Sequence, residues 1–228
     1  MKKIVLSLFI ATIASMNLVY SQEKQSISTE KEGEMVAPSK PMQTIILAGQ
    51  LVKYGYETNS ATALIQAAEL YLSAGMSEFK PVSAEKGNGI ETTKEEYISH
   101  DPKQILIDAR ILADGDPVYL AMIDKIEKTK TRGAVGGPKS GAYRVLAHGT
   151  DSYVVKFYAK EPATVAVSGD GDTDLDLYVF DENGNLIGKD VDYSDDCIVS
   201  WNPRWTGNFV IKVVNQGNVY NHYGIATN

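Results

Sequence analysis

The chain has 228 residues, 43% of them hydrophobic and 22% charged, with a formal charge of −7. This is the composition of a globular protein long enough to bury a core, and its acidity argues against a nucleic-acid binder, which needs a basic footprint. Cys197 is the only cysteine, which excludes an internal disulfide.

Residues 1–21 read as a leader. Met1-Lys2-Lys3 is a basic start, Ile4 to Met16 is an apolar stretch too short and too early for a spanning helix, and Val19-Tyr20-Ser21 predicts cleavage before Gln22. No cysteine follows it to carry a lipid anchor, and no later segment is apolar for long enough to cross a membrane. The expectation is an exported soluble protein, periplasmic or secreted, whose charge falls from −7 to −9 as Lys2 and Lys3 leave.

Residues 22–40 are polar and charged and read as a disordered lead. Residues 41–131 read as a helical domain. Ile45, Ile46, Leu51 and Val52 mark a first helix ending near Gly55. Asn59 or Ser60 can cap a second, with Ala63, Leu64, Ala67, Ala68, Tyr71 and Leu72 as its apolar stripe and Gly75 closing it. Met76 to Ser99 reads mostly as loop. Asp101-Pro102 and Asp116-Pro117 each place an acidic cap before a proline at a first helical position, and the short Asp114-Gly115-Asp116 makes those two helices an antiparallel hairpin. A tetratricopeptide array would need a 34-residue period, which is absent, so the prediction is a small helical bundle.

Residues 132–142, with four glycines and a proline, read as a linker. From there the hydrophobic period switches to two. Eight short strands (143–147, 152–159, 163–168, 175–180, 186–191, 197–201, 208–214 and 220–227), separated by Gly, Asn and Asp turns, predict an antiparallel β-sandwich over 143–228. Within it, Cys197 opens the apolar run to Trp201 and reads as a small buried hydrophobe, not as a nucleophile.

Ser168 to Asp196 carries ten carboxylates and one base, Lys189. Leu175, Leu177 and Val179 alternate with Asp174, Asp176 and Tyr178 as a half-buried strand does, and Asp181-Glu182-Asn183-Gly184-Asn185 forms the turn to a second strand. A two-residue Asn-Gly turn would set Val179 opposite Gly188 and Leu175 opposite Asp192. A three-residue loop with Gly184 left-handed sets Val179 opposite Ile187 and Leu175 opposite Val191, which keeps the apolar faces together. It also sets Asp176 opposite Asp190 and Asp174 opposite Asp192. Facing like charges are destabilising by up to about 1 kcal/mol per pair, so this arrangement calls for a cation. An oxygen-only donor set selects Ca²⁺, with Asp172, Asp174, Asp176, Asp190, Asp192 and Asp195 as the candidate ligands. The alternative is a solvated acidic surface. The EF-hand pattern does not fit, since its sixth position is Leu175 instead of glycine.

The run from Ala163 to Asp181, ATVAVSGDGDTDLDLYVFD, and the later run from Pro203 to Asn215, PRWTGNFVIKVVN, occur in the order found in the bacterial pre-peptidase C-terminal domain family, which the last ninety or so residues resemble. The resemblance implies a jelly-roll-like sandwich of the kind appended to secreted hydrolases and often removed after export. Collagen-binding segments of clostridial collagenases are similar to this family, and some of these bind calcium. The resemblance supplies no catalytic residue, and the helical region stands where a protease domain usually precedes the sandwich.

Nothing else in the sequence points to catalysis. His100, His148 and His222 are scattered, no H-E-x-x-H or G-x-S-x-G is present, and clustered turn aspartates suit ionised groups better than the protonated acid of a glycosidase. Trp201, Phe209 and Tyr223 sit at core positions. Trp205, with Arg204 and Tyr193, is the candidate ligand-binding face. The function expected is therefore a non-catalytic exported protein whose calcium-stabilised sandwich binds a macromolecule, protein or polysaccharide, or the cell surface. The alternatives are a polysaccharide-binding module, which needs two or more coplanar exposed aromatics on one sheet, and an accessory domain of a secreted hydrolase system; a hydrolase itself would need buried convergent acids.

Overall fold

A computed structural model describes residues 34–74, 77–87, 98–128 and 138–228. The predicted leader, residues 22–33 of the polar lead, Gly75 and residues 132–137 of the expected linker lie outside the described residues.

Four helices precede the sandwich: α1 (Lys40–Glu57), α2 (Ala61–Ser73), α3 (Pro102–Leu112) and α4 (Pro117–Lys128). Their starts follow the predicted caps. The Ser60 hydroxyl accepts from the Ala63 amide at 3.3 Å, Asp101 from Lys103 at 3.0 Å and Asp116 from Val118 at 2.8 Å, each satisfying a donor that the first helical turn leaves free. Arg110 ties α3 to α4 through Asp124 at 2.8 Å and Glu127 at 3.0 Å.

The eight predicted strands are present as β4 (Lys139–Val145), β5 (Thr150–Phe157), β6 (Ala163–Ser168), β7 (Leu175–Asp181), β8 (Leu186–Asp190), β9 (Asp196–Asn202), β10 (Gly207–Asn215) and β11 (Asn221–Thr227). Lys139 to Ala142, counted with the linker on sequence grounds, belong to β4. Three short strands come from the earlier chain: β1 (Glu34–Met35), inside the stretch read as a disordered lead, and β2 (Ser77–Glu78) and β3 (Ser83–Glu85), inside the stretch read as loop. The first sheet runs β1-β9-β6-β11-β4-β2 and the second β3-β5-β10-β7-β8, with every pairing antiparallel except β2 with β4.

Between the sheets lies one core, built by period-two alternation: Tyr153 and Val155 from β5, Leu175, Leu177 and Val179 from β7, Val199 and Trp201 from β9, and Phe209, Ile211 and Val213 from β10. Phe157 meets Trp201 edge-on at 4.9 Å, and Cys197 is buried there with its Sγ–H donating to the Leu175 carbonyl at 3.0 Å. Burial pushes that thiol's pKa well up, so it is inert.

The helices pack on one another as the predicted bundle and also on the sheet. Met42, Ala48, Val52, Leu64, Ile105 and Ile123 share a second core with Ala166 of β6 and Ala226 of β11, so the helices form a layer over the outer face of the first sheet. Small residues permit the approach. A Cβ at Gly49 of α1 would lie 3.0 Å from the Ser168 side chain of β6. No described element covers the outer face of the second sheet in the same way, and this asymmetry positions both regions considered next.

Candidate functional site

The β7–β8 hairpin departs from the predicted register, for an identifiable reason. Its turn is as expected: Asp181 and Asn185 close the loop, and Gly184 takes φ +80°. Phe180 then pairs with Leu186, but a bulge follows, and Val179 faces Gly188, Tyr178 faces Lys189 and Leu177 faces Asp190. The extra residue is Ile187, which goes into the core. In the regular register Lys189 would share the inward parity of Ile187, and one residue more on β8 turns it outward opposite Tyr178, which is what a bulge provides. Asp176 therefore does not face Asp190, and Asp174 does not face Asp192.

Four of the six candidate metal ligands have their carboxylates engaged, each with partners of its own. Asp176 accepts from the Tyr178 hydroxyl at 3.1 Å and from Gln216. Asp190 accepts from the Ile198 amide at 2.8 Å, and Asp192 from the amide and hydroxyl of Ser194. The backbone N–H of Asp172 donates to Asp170. Asp195 takes Lys53 at 2.5 Å and the Gly171 amide. Asp174 alone keeps a buried carboxylate oxygen without a hydrogen bond, and burial followed by the charges of Asp176, Asp192 and Asp195 raises its pKa. Among the described residues no group of three or more His, Cys, Asp or Glu side chains is placed to hold a metal ion. The donor set as folded does not fit Ca²⁺, because four of its six carboxylates already accept hydrogen bonds or an ion pair from neighbouring groups.

What the acidic loops do instead is dock the helical layer. Lys53 of α1 bridges Asp195 at 2.5 Å and Asp196 at 2.7 Å. Burial opposes its charge, but the hydrogen bonds and charges of the two aspartates outweigh that and raise its pKa. Beside it His100 is buried, its Nδ1 3.3 Å from the Tyr71 hydroxyl and its Nε2 3.3 Å from the Gly169 carbonyl. A carbonyl can only accept, so Nε2 carries the proton and Nδ1 accepts from Tyr71. Burial, above all, lowers the pKa of this imidazole to about 4.

The three predicted binding residues do not meet. Trp205 is half-buried and stacked on Phe209 with centroids 5.9 Å apart, in the turn after β9, beside exposed Arg204. Tyr193 is 99% exposed in the turn before β9. The seven residues of β9 separate the two turns, so they lie at opposite ends of the sandwich, about 23 Å apart at ~3.3 Å per residue.

A different surface carries grouped aromatics. On the outer face of the second sheet, register aligns Leu186, Phe180, Val210 and Val154 in one row across β8, β7, β10 and β5. Lys189, Tyr178, Lys212 and Ser152 form the next row. Tyr178 and Phe180 are stacked, with centroids 6.2 Å apart and planes 18° from parallel. The Lys212 ammonium stands 5.8 Å from the Phe180 centroid, and Lys156 stands 5.9 Å from that of Tyr158. The signal was present in the sequence, since Tyr178 and Phe180 have the outward parity opposite to Leu177 and Val179. Lys189 could not be placed there without the bulge.

No family model matches the chain, and no curated protein matches it. Among solved structures it is similar to the pre-peptidase C-terminal domain of collagenase from Bacillus anthracis, at 13% identity over 39% of this chain and 87% of that one, with a TM-score of 0.32. It is also similar to PliG from Aeromonas hydrophila, a periplasmic inhibitor of g-type lysozyme, at 15% identity over 40% and 83%, with a TM-score of 0.31. A third is the C-terminal CBM6 of LamC, a laminarinase from Zobellia galactanivorans, at 12% identity over 36% and 73%, with a TM-score of 0.25. These are likenesses of fold alone.

Proposed function

We propose that the chain is an exported, non-catalytic binding module that holds a macromolecular ligand on the outer face of its second sheet. One observation carries this reading: the helices cover the first sheet, while the second leaves the row Leu186, Phe180, Val210 and Val154 without a covering element among the described residues. Val154 is 45% exposed, and a contiguous apolar strip with a polar rim is the usual mark of an interaction site. The non-catalytic part of the reading rests on the inert state of the reactive groups: Cys197 is buried with a raised pKa, and His100 is held neutral between two partners.

The test is co-sedimentation of the chain without residues 1–21 with insoluble polysaccharides and fibrous proteins. Wild type is compared with Val154→Ser, Phe180→Ser and with Ile111→Ser on the exposed side of α3. The expected result is retention by at least one polymer that the sheet-face variant loses and Ile111→Ser keeps. Retention by none, or equal retention by both variants, refutes the proposal.

A further inference from the structure

We propose that the ligand of the open sheet face is an acidic polysaccharide, with sugar rings lying on Tyr178 and Phe180 and their carboxylates meeting Lys189, Lys212 and Lys156. The inference rests on the reading above that this face is the binding surface, and it adds the chemistry of the ligand.

The two rings supply a platform. They stand two residues apart on one strand, both on the outer face and 18° from parallel, so together they present a continuous apolar strip. The C–H face of a pyranose, flat and weakly polar, covers such a strip without stranding a hydrogen-bonding group.

Charge selects among sugars. Carboxylates outnumber basic residues 29 to 22 in this chain. Even so, the outer face of the second sheet gathers three lysines, none of them ion-paired to a carboxylate among the described residues, against two acids that register places there, Asp176 and Glu85. Both acids fall in the row Asp176, Val214, Thr150 and Glu85 at one end of the face, and Asp176 is already hydrogen-bonded by Tyr178 and Gln216. Two of the cations stand over aromatic rings, which keeps their stems along the apolar strip and their ammonium groups at the height of a ligand lying on it. A neutral glycan gives these lysines no counterpart, whereas a uronate polymer offers one carboxylate on every ring.

Charge also sets the direction of the polymer. At the Asp176 end the strip runs into the acidic loops around Asp174 and Asp192, which repel an anion. A uronate chain is thus held obliquely to the strands and away from the Asp176 end, from Lys189 on β8 to Lys156 on β5. That is three strand spacings across, about 14 Å at ~4.8 Å each, and four residues along β5 from Ser152, about 13 Å at ~3.3 Å each, or roughly 20 Å in all. Single-stranded nucleic acid is also anionic and stacks on aromatics, but the exported location proposed above puts the chain where such polymers are scarce.

The experiment is affinity electrophoresis and titration calorimetry of the chain without residues 1–21, using polygalacturonate, fully methyl-esterified pectin, a neutral β-glucan and single-stranded DNA as probes. The proteins are wild type, Lys189→Gln, Lys212→Gln, the ring variant Phe180→Ser, and Lys103→Gln as a charge control on the helical layer, each with its melting midpoint recorded. We expect polygalacturonate to bind wild type and Lys103→Gln alike, and the double lysine variant and Phe180→Ser to lose about tenfold or more, which is ~1.4 kcal/mol. Added salt should weaken binding and methyl-esterification should abolish it. Equal binding of the esterified and free polymers, both lost in Phe180→Ser, overturns the acidic ligand and leaves the sheet face as the binding surface, as does retention of the β-glucan alone. Tighter binding of single-stranded DNA overturns it as well. Binding of polygalacturonate unchanged in both face variants overturns this inference and the reading on which it rests.

Discussion

Acidification of the medium from pH 7.5 to 5 should weaken the fold through His100, and the size of the loss follows from where the ring sits. The imidazole is buried between Tyr71 and Gly169, with its pKa held near 4 against an ordinary 6.5. The folded value lies below the unfolded one, so the unfolded chain takes the proton first. Stability from the neutral ring is complete above pH 6.5 and drains away as pH falls toward 4. At 1.36 kcal/mol per pKa unit the full loss is about 3.4 kcal/mol, and about 2 kcal/mol of it is gone by pH 5. For a chain of this size that is a drop of roughly 4–8 °C in melting midpoint. Asp151, Asp174 and Asp190 act in the other direction, because burial raises their pKa values and a falling pH relieves the penalty of their charge. Comparison with His100→Gln removes that background, since the variant keeps these carboxylates and loses only the imidazole. The assay is thermal unfolding of both proteins at pH 7.5, 6.5, 5.5 and 5. The expected result is a wild type that loses several degrees more than the variant across this range. Equal losses in the two proteins would refute a buried neutral imidazole at the seam between helix layer and sheet.

Three further outcomes follow from the same seam and from the acidic loops. Lys53→Met leaves Asp195, only 6% exposed, without its cation and should cost about 3–5 kcal/mol in urea unfolding, while adding Asp195→Asn should recover a large part of that. A cost under 1 kcal/mol would show that the bridge does not hold the helix layer. Gly224→Ala would place a Cβ 2.9 Å from the Cβ and Cγ of His100, so it should cost about 1–3 kcal/mol and reduce the acid sensitivity just described, because the ring must move away from Gly169. Millimolar Ca²⁺ after EDTA should move the melting midpoint by less than about 1 °C, since no site is formed among the described residues and a ligand without one stabilises nothing. A rise of several degrees that Asp174→Asn, Asp176→Asn abolishes would show that these loops rearrange around the ion.

The strands and helix starts were legible because each rests on a local rule. Period-two alternation gave the eight strands of the sandwich, and Ser60, Asp101 and Asp116 announced three helices because a cap satisfies its donors within three residues. The hairpin failed at one residue. A bulge at Ile187 inverts the parity of the residues after it, and period-two reasoning assumes that no strand gains a residue. That single insertion disperses the acid pairs that suggested calcium and turns Lys189 outward. The covering of one sheet by the helices was not legible either, because Gly49, Ala166, Ser168, Gly224 and Ala226 have small, neutral surfaces that show contact only when the partner is known. Lys53 is similar: its carboxylate partners lie 142 and 143 residues away.

The short strands from the first part of the chain have a consequence for the sandwich as a separable unit. Among the described residues, three of the four outermost strands are β1, β2 and β3, none longer than three residues, and all lie before residue 86. They occupy the hydrogen-bonding margins of β9, β4 and β5. A fragment beginning at Lys139 would keep the central core but leave rows of amides and carbonyls on those three strands open to another chain, which is the starting point of sheet-to-sheet self-association. The fourth margin, β8, is protected by its own construction: it is five residues long, bulged and charged at Lys189 and Asp190. The chain before residue 86 thus covers three sheet margins, and a chain cut between the helices and β4 should aggregate more readily than the whole chain.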